Sequence, residues 1–224
     1  MGMRRLLLGD AKGKTAWQRL RDGWRRERAE EERSRAFARA YNPLGLEPSN
    51  LVEVAGETYE VETVLCYHTP GDDPDFTRYG LKHLHTSKPL LLEAMPEGRP
   101  GSLVLSLFEL ADELTLDREL LLTLENEDVL RHTEPTAQGE EVIDYQKDFQ
   151  TDAELTMFSA TEHVLTEVVA FSYFRPPAGE AEERYLSVEV APEEGWMSFL
   201  RGRRIAARDV LALGTAQSKQ PSTL

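Results

Sequence analysis

The pattern of apolar and polar positions changes character at Pro43. Ahead of it, Trp17, Leu20 and Trp24 stand at i, i+3 and i+7, and Phe37 and Tyr41 form an i, i+4 pair. This spacing predicts one helix over 14–41, with Thr15 as its N-cap. The middle of the segment, RRERAEEERSR, is almost wholly charged, and Glu27, Glu31 and Glu32 lie within reach of neighbouring arginines. A helix apolar at both ends and charged between them reads as an arm. Asn42-Pro43 ends it, because the residue before a proline is driven out of the helical region.

Beyond Pro43 the period is two. In TYEVETVLCY, Tyr59, Val61, Thr63, Leu65 and Tyr67 share one face while Glu60 and Glu62 take the other, which predicts a half-buried strand. TPGDDPDF reads as an exposed turn. TRYGLKHLH, KPLLLEAM and SLVLSLFEL are further strand candidates bounded by Pro or Gly. Residues 117–132 add two short apolar runs, ELLLTL and DVLRH, and EPTAQGEE reads as a loop. EVVAFSYF and ERYLSVEV predict a hairpin with Leu186, Val188 and Val190 on one face. RIAARDVLAL is the last apolar segment, and the tail 214–224 is expected to be disordered.

Two stretches echo one another. CYHTPGDDPDFTRYGL and SYFRPPAGEAEERYLS place Tyr67, Pro70, Arg78 and Tyr79 at the spacing of Tyr173, Pro176, Arg184 and Tyr185. The predicted fold class is therefore α+β, mainly antiparallel β. An N-terminal helical arm (1–41) leads into a β-rich body (42–213) of two similar packed β units, with possible halves at 42–132 and 140–213.

Charge sharpens the division. Residues 1–40 hold 12 Lys and Arg against 6 Asp and Glu, a net of +6, whereas the whole chain is −14, so residues 41–224 carry −20. A body this acidic repels nucleic acid and anionic lipid, so any such contact falls to the basic segment: Trp17, Leu20 and Trp24 with Arg21, Arg25 and Arg26. No nucleic acid partner is expected. The single cysteine, Cys66, has no internal partner, and the leucines near Met1 form too short a run for a secretion signal. The expected location is the bacterial cytoplasm, at most peripheral to the inner membrane.

Candidate chemistry is sparse. In RLLLGDAKGKTAW the Gly-Lys-Thr ending suggests a phosphate-binding loop, but Gly9 and Gly13 enclose three residues where four are needed, and Asp10 sits where a phosphate would lie. His83 and His85 share one side of a strand and His68 precedes them, which makes these three the metal candidates. Only two are fixed by spacing, short of the three or four a site requires. Cys66 has no neighbouring cation and reads as a buried inert thiol. No cofactor and no catalytic residues are expected.

NPLGLEPSNLVEVAGETYEVETVLCY at one end, and ERYLSVEV with Trp196 and RGRRIAARDVLAL at the other, resemble an uncharacterised bacterial family typified by the enterobacterial YjfK protein. The resemblance implies an association with phage-shock (PspA-like) membrane-remodelling proteins and carries over no catalytic residues. The functional expectation is a non-enzymatic adaptor in bacterial envelope stress, binding a PspA-like partner or a membrane surface through the N-terminal helix. The alternatives are a metal-binding protein or enzyme centred on His68, His83 and His85, and a structural part of a phage or secretion assembly.

Overall fold

A computed structural model describes residues 42–70, 75–86, 88–97, 102–115, 117–136, 139–161, 163–175 and 183–215. All belong to the second of the two units into which the chain divides, Tyr41–Leu224. The expected helix over 14–41 and the tail from 216 lie outside them.

The described residues form eleven antiparallel strands: β1 (Asn50–Val54), β2 (Glu57–His68), β3 (Phe76–His83), β4 (Pro89–Pro96), β5 (Leu103–Thr115), β6 (Val129–Thr136), β7 (Gly139–Ser159), β8 (His163–Arg175), β9 (Arg184–Ala191), β10 (Trp196–Ile205) and β11 (Val210–Thr215). One nine-residue helix, α1 (Arg118–Asn126), interrupts them. The sheet runs β11-β1-β2-β3-β4-β5-β10-β9-β8-β7-β6, and a further pairing of β2 with β7 closes it. Thr63–His68 of β2 lie antiparallel to Glu154–Ser159 of β7, which makes β2-β3-β4-β5-β10-β9-β8-β7 a closed eight-stranded barrel.

This corrects the expected α+β body of two packed β units. Each half does supply a four-strand meander, β2–β5 and β7–β10, but both are staves of one ring with one lumen.

Local chemistry explains the departures from the sequence pattern. In β2 the register shifts between Val61 and Thr63, so Glu62 is an inserted bulge residue. Pairing sets Val61 against Leu81 and Val64 against Tyr79, on the outer face, while Thr63 lies opposite Gly80 on the inner one. The run predicted as a single face therefore switches sides: Tyr59 and Val61 face outward, Thr63, Leu65 and Tyr67 inward. Gly80 is required there, because a Cβ on it would drive into the Thr63 hydroxyl. The leucine run ELLLTL is helix and not strand, because the Asp117 side chain accepts hydrogen bonds from the N–H groups of Glu119 (2.8 Å) and Leu120 (3.3 Å). The β1–β2 turn is Ala55-Gly56 with both φ positive, at 52° and 86°, the two-residue hairpin turn whose twist matches its strands.

Two apolar layers hold the structure. Outside the barrel, Leu124 of α1 and Leu130, Ile143 and Tyr145 of the β6–β7 hairpin cover Phe171, Leu186, Val188, Val190, Met197 and Phe199 of β8–β10. The β8–β9 hairpin and the shared face of Leu186, Val188 and Val190 are as predicted. Inside, Tyr67, Phe76, Ala153, Leu155, Val168, Ala170 and Ala191 fill one part of the lumen, and Phe108, Tyr185 and Leu200 another.

Candidate functional site: a charged cluster and cavity in the barrel lumen

Inward-facing positions of β3 read Phe76, Arg78, Gly80. Arg78 reaches Ser187 and Glu189 of β9, which stands four places away from β3 around the ring in either direction, so the side chain spans the lumen. Its Nε donates to Glu93 Oε2 of β4 at 2.9 Å, and one terminal nitrogen lies 2.8 Å from the same oxygen and donates to Ser187 Oγ at 2.9 Å. The other terminal nitrogen pairs with Glu189 Oε1, which also accepts from the Tyr67 hydroxyl at 2.6 Å. The rings of Tyr67, Phe76 and Phe108 lie 5.2–5.3 Å from the guanidinium carbon. Side-chain exposures of 3% for Arg78, 9% for Glu93 and 8% for Glu189 make this a fully desolvated group.

Electrostatics follow from that burial. Desolvation alone would lower the pKa of Arg78, but the charges of Glu189 and Glu93 more than offset it and hold the guanidinium protonated. Burial, with the adjacent Glu189 carboxylate, holds the Tyr67 phenol well above its ordinary range. One guanidinium against two carboxylates leaves the cluster with a formal charge of −1.

A cavity of about 440 Å³, partly open to solvent, adjoins the cluster. Its polar wall is made by Glu189 and Ser198, with Glu62 and Thr63 of the β2 bulge beside them; Leu91, Leu110, Trp196 and Leu200 supply much of the apolar wall. Oε2 of Glu189 and the Ser198 hydroxyl have no hydrogen-bond partner among the described residues.

The histidines do not converge. His83 pairs with Tyr59, nine residues along β2 from His68, a separation of ~30 Å. Nδ1 of His83 accepts the N–H groups of His85 (3.1 Å) and Thr86 (3.0 Å), so Nε2 carries the proton and donates to Glu57 at 3.0 Å. The residue pins a turn with both nitrogens. His68 lies 3.0 Å from Asp75 at the far end of the hairpin. Among the described residues no group of three potential metal ligands forms.

The repeated motif also separates. Tyr67 and Arg78 face the lumen, whereas their counterparts Tyr173 and Arg184 face outward: the Tyr173 hydroxyl lies 3.3 Å from the Leu124 carbonyl and Arg184 donates to Glu134 at 3.2 Å. Tyr79 faces outward, donating to Asn42 at 2.6 Å and accepting from the Leu44 N–H at 3.2 Å, while Tyr185 packs inside. Matching residues thus occupy opposite faces, and the echo is not a structural repeat. Pro70 is exposed at a bend and Pro176 lies outside the described residues, as do Trp17, Leu20, Arg21, Trp24, Arg25 and Arg26. Cys66 is fully buried on the outer face, and burial pushes its thiol up to about 11, so it stays protonated at neutral pH.

Ser187 and Glu189 escaped the sequence reading because polar residues alternating with Leu186, Val188 and Val190 look solvated, and Glu93 because it ends the unbroken apolar run Leu90-Leu91-Leu92. The missing signal was that Arg78 sits at the in-phase position of a paired strand. Among the described residues no helix is long and apolar enough to cross a membrane. Comparison with models of protein families, with curated proteins and with solved structures finds no match.

Proposed function

We propose that the chain is a non-enzymatic binding protein whose barrel holds a small amphiphilic molecule beside Glu189. The observation that supports this reading is the pair of polar side chains, Glu189 and Ser198, presented to a cavity with apolar walls while most of the lumen is packed. An eight-stranded barrel has room for side chains or for one small ligand, and this cavity lies within the ~300–1,000 Å³ of small-molecule sites. Trp196 on its wall is a built-in reporter. In a Trp17→Phe/Trp24→Phe chain it is the sole indole of the three. Titration with n-octanol, n-octylamine and n-octanoate is expected to give a saturable change in emission with at least one probe, weakened by Leu91→Phe, which narrows the cavity. A flat response to all three ends the reading.

The charge polarity of the chain, +6 over residues 1–40 against −20 beyond, favours a second reading alongside the first. Residues 14–41 would then serve as a contact with an anionic membrane or a PspA-like partner, the accessory role that the family resemblance implies. Full-length protein is expected to co-sediment with anionic vesicles, and Arg21→Glu/Arg25→Glu/Arg26→Glu to lose most of that binding. Equal sedimentation of the two chains rules out the contact.

A further inference from the structure

We infer that the cavity selects an occupant with a cationic polar end, a protonated amine, held by Glu189 and Ser198; this rests on the cavity reading above. The buried guanidinium of the barrel interior, Arg78, is already committed, and Arg204 lies over the Tyr185 ring on a half-exposed side chain. Arg78 spends its donors on Glu93, Glu189 and Ser187, and the aromatic rings of Tyr67, Phe76 and Phe108 crowd around it, so it offers nothing to an anion. The charged residues on the cavity wall are Glu62 and Glu189, both acidic. Of the Glu189 carboxylate, Oε1 is engaged by Arg78 and Tyr67, while Oε2 has no partner among the described residues on a side chain only 8% exposed.

Each class of head group meets this wall differently. A carboxylate would be set against Glu189, whose bonded cation, Arg78, is shared with Glu93, while Lys82 at the rim is paired with Glu62 at 2.9 Å; the remaining repulsion grows as water is excluded. A hydroxyl could donate to Glu189 and accept from Ser198, at the modest net value of neutral hydrogen bonding. An ammonium donates to Oε2 of Glu189 and to Ser198 Oγ, and a charge-assisted bond in a desolvated site is roughly twice as strong. It also brings the cluster from a formal −1 to neutrality. Trp196 supplies an aromatic ring in the same wall, and the −20 charge of residues 41–224 draws cations toward it.

The test uses the full chain and three eight-carbon probes, n-octylamine, n-octanol and n-octanoate, followed by calorimetry. The amine is expected to bind at least about ten-fold tighter than the alcohol, the equivalent of one charge-assisted hydrogen bond, and the carboxylate weakest of all. Glu189→Gln, which keeps an acceptor for Arg78 and Tyr67, should bring the amine down to the affinity of the alcohol. Ser198→Ala, which disturbs no ion pair, should weaken the amine several-fold. Alcohol or carboxylate binding as tightly as the amine, or an amine preference that survives both substitutions, overturns the inference while leaving the cavity reading standing. Failure of all three probes removes the cavity reading itself, and with it the inference.

Discussion

Arg78→Met is expected to lower the free energy of unfolding by about 3–5 kcal/mol, a large part of the ~5–15 kcal/mol that holds a domain together. The loss would come less from the missing ion pair than from what it leaves behind. Glu93 and Glu189, each more than nine-tenths buried, would face one another across the lumen with no counter-charge, and Ser187 would lose its donor. The cluster should therefore fail asymmetrically. Adding Glu93→Gln and Glu189→Gln to Arg78→Met removes the orphaned charges and should recover more than half of the loss, although the triple variant retains no ion pair. Urea unfolding with linear extrapolation measures both. A cost below ~1 kcal/mol for Arg78→Met would mean that the side chain does not cross a dry lumen, and would sink the closed-barrel account of the site.

Raising the pH should unfold the protein in one step rather than titrate it gradually. Tyr67, Tyr79, Tyr145, Tyr173 and Tyr185 are all held above the ordinary phenol value of 10, each mainly by burial, and Tyr173 is pushed up to about 12. Since the folded pKa lies above the unfolded one, the fold grips these protons more tightly than the unfolded chain does. Their contribution is whole below pH 10 and disappears as the pH climbs through the folded values. Tyr145 adds to the effect, donating at 2.5 Å to the buried Glu134 carboxylate, a bond that a phenolate cannot make. The expected record is little tyrosinate absorbance at pH 10, then its sharp appearance toward about pH 12 together with collapse of the near-ultraviolet dichroism. Gradual ionisation near pH 10 with the dichroism intact would show that these rings are not sealed.

What the sequence disclosed and what it hid divide along a physical line. Alternation located most strands and placed Leu186, Val188 and Val190 on one face correctly, because period two is a local property. It could not name the medium on the opposite face. Ser187 and Glu189 alternate as surface residues do, yet in a closed ring that face is the lumen, and only Arg78 on a distant strand makes their burial tolerable. The bulge at Glu62 was equally hidden: one inserted residue leaves the string TYEVETVLCY looking regular while it reverses the direction of everything after it. In ELLLTL the leucines suit either helix or strand, and the decision rests with one aspartate at the head of the run. The echo of Tyr-x-x-Pro and Arg-Tyr was undecidable for a related reason, since four identities carry no information about which way a strand is turned.

The seam between β2 and β7 has a consequence in time. Most neighbouring staves are hairpin partners and meet soon after they form, whereas β5 must find β10 and, to shut the ring, Thr63 must find Ser159 and His68 must find Glu154, each roughly 80–100 residues away along the chain. Loop-closure entropy weighs against that encounter until both meanders are in place, so the ring shuts late. Until it does, two long strands stand with bare amide edges, and Arg78 reaches across a lumen that water can still enter. The interval between collapse and closure is thus when this chain is most open to joining a copy of itself edge to edge.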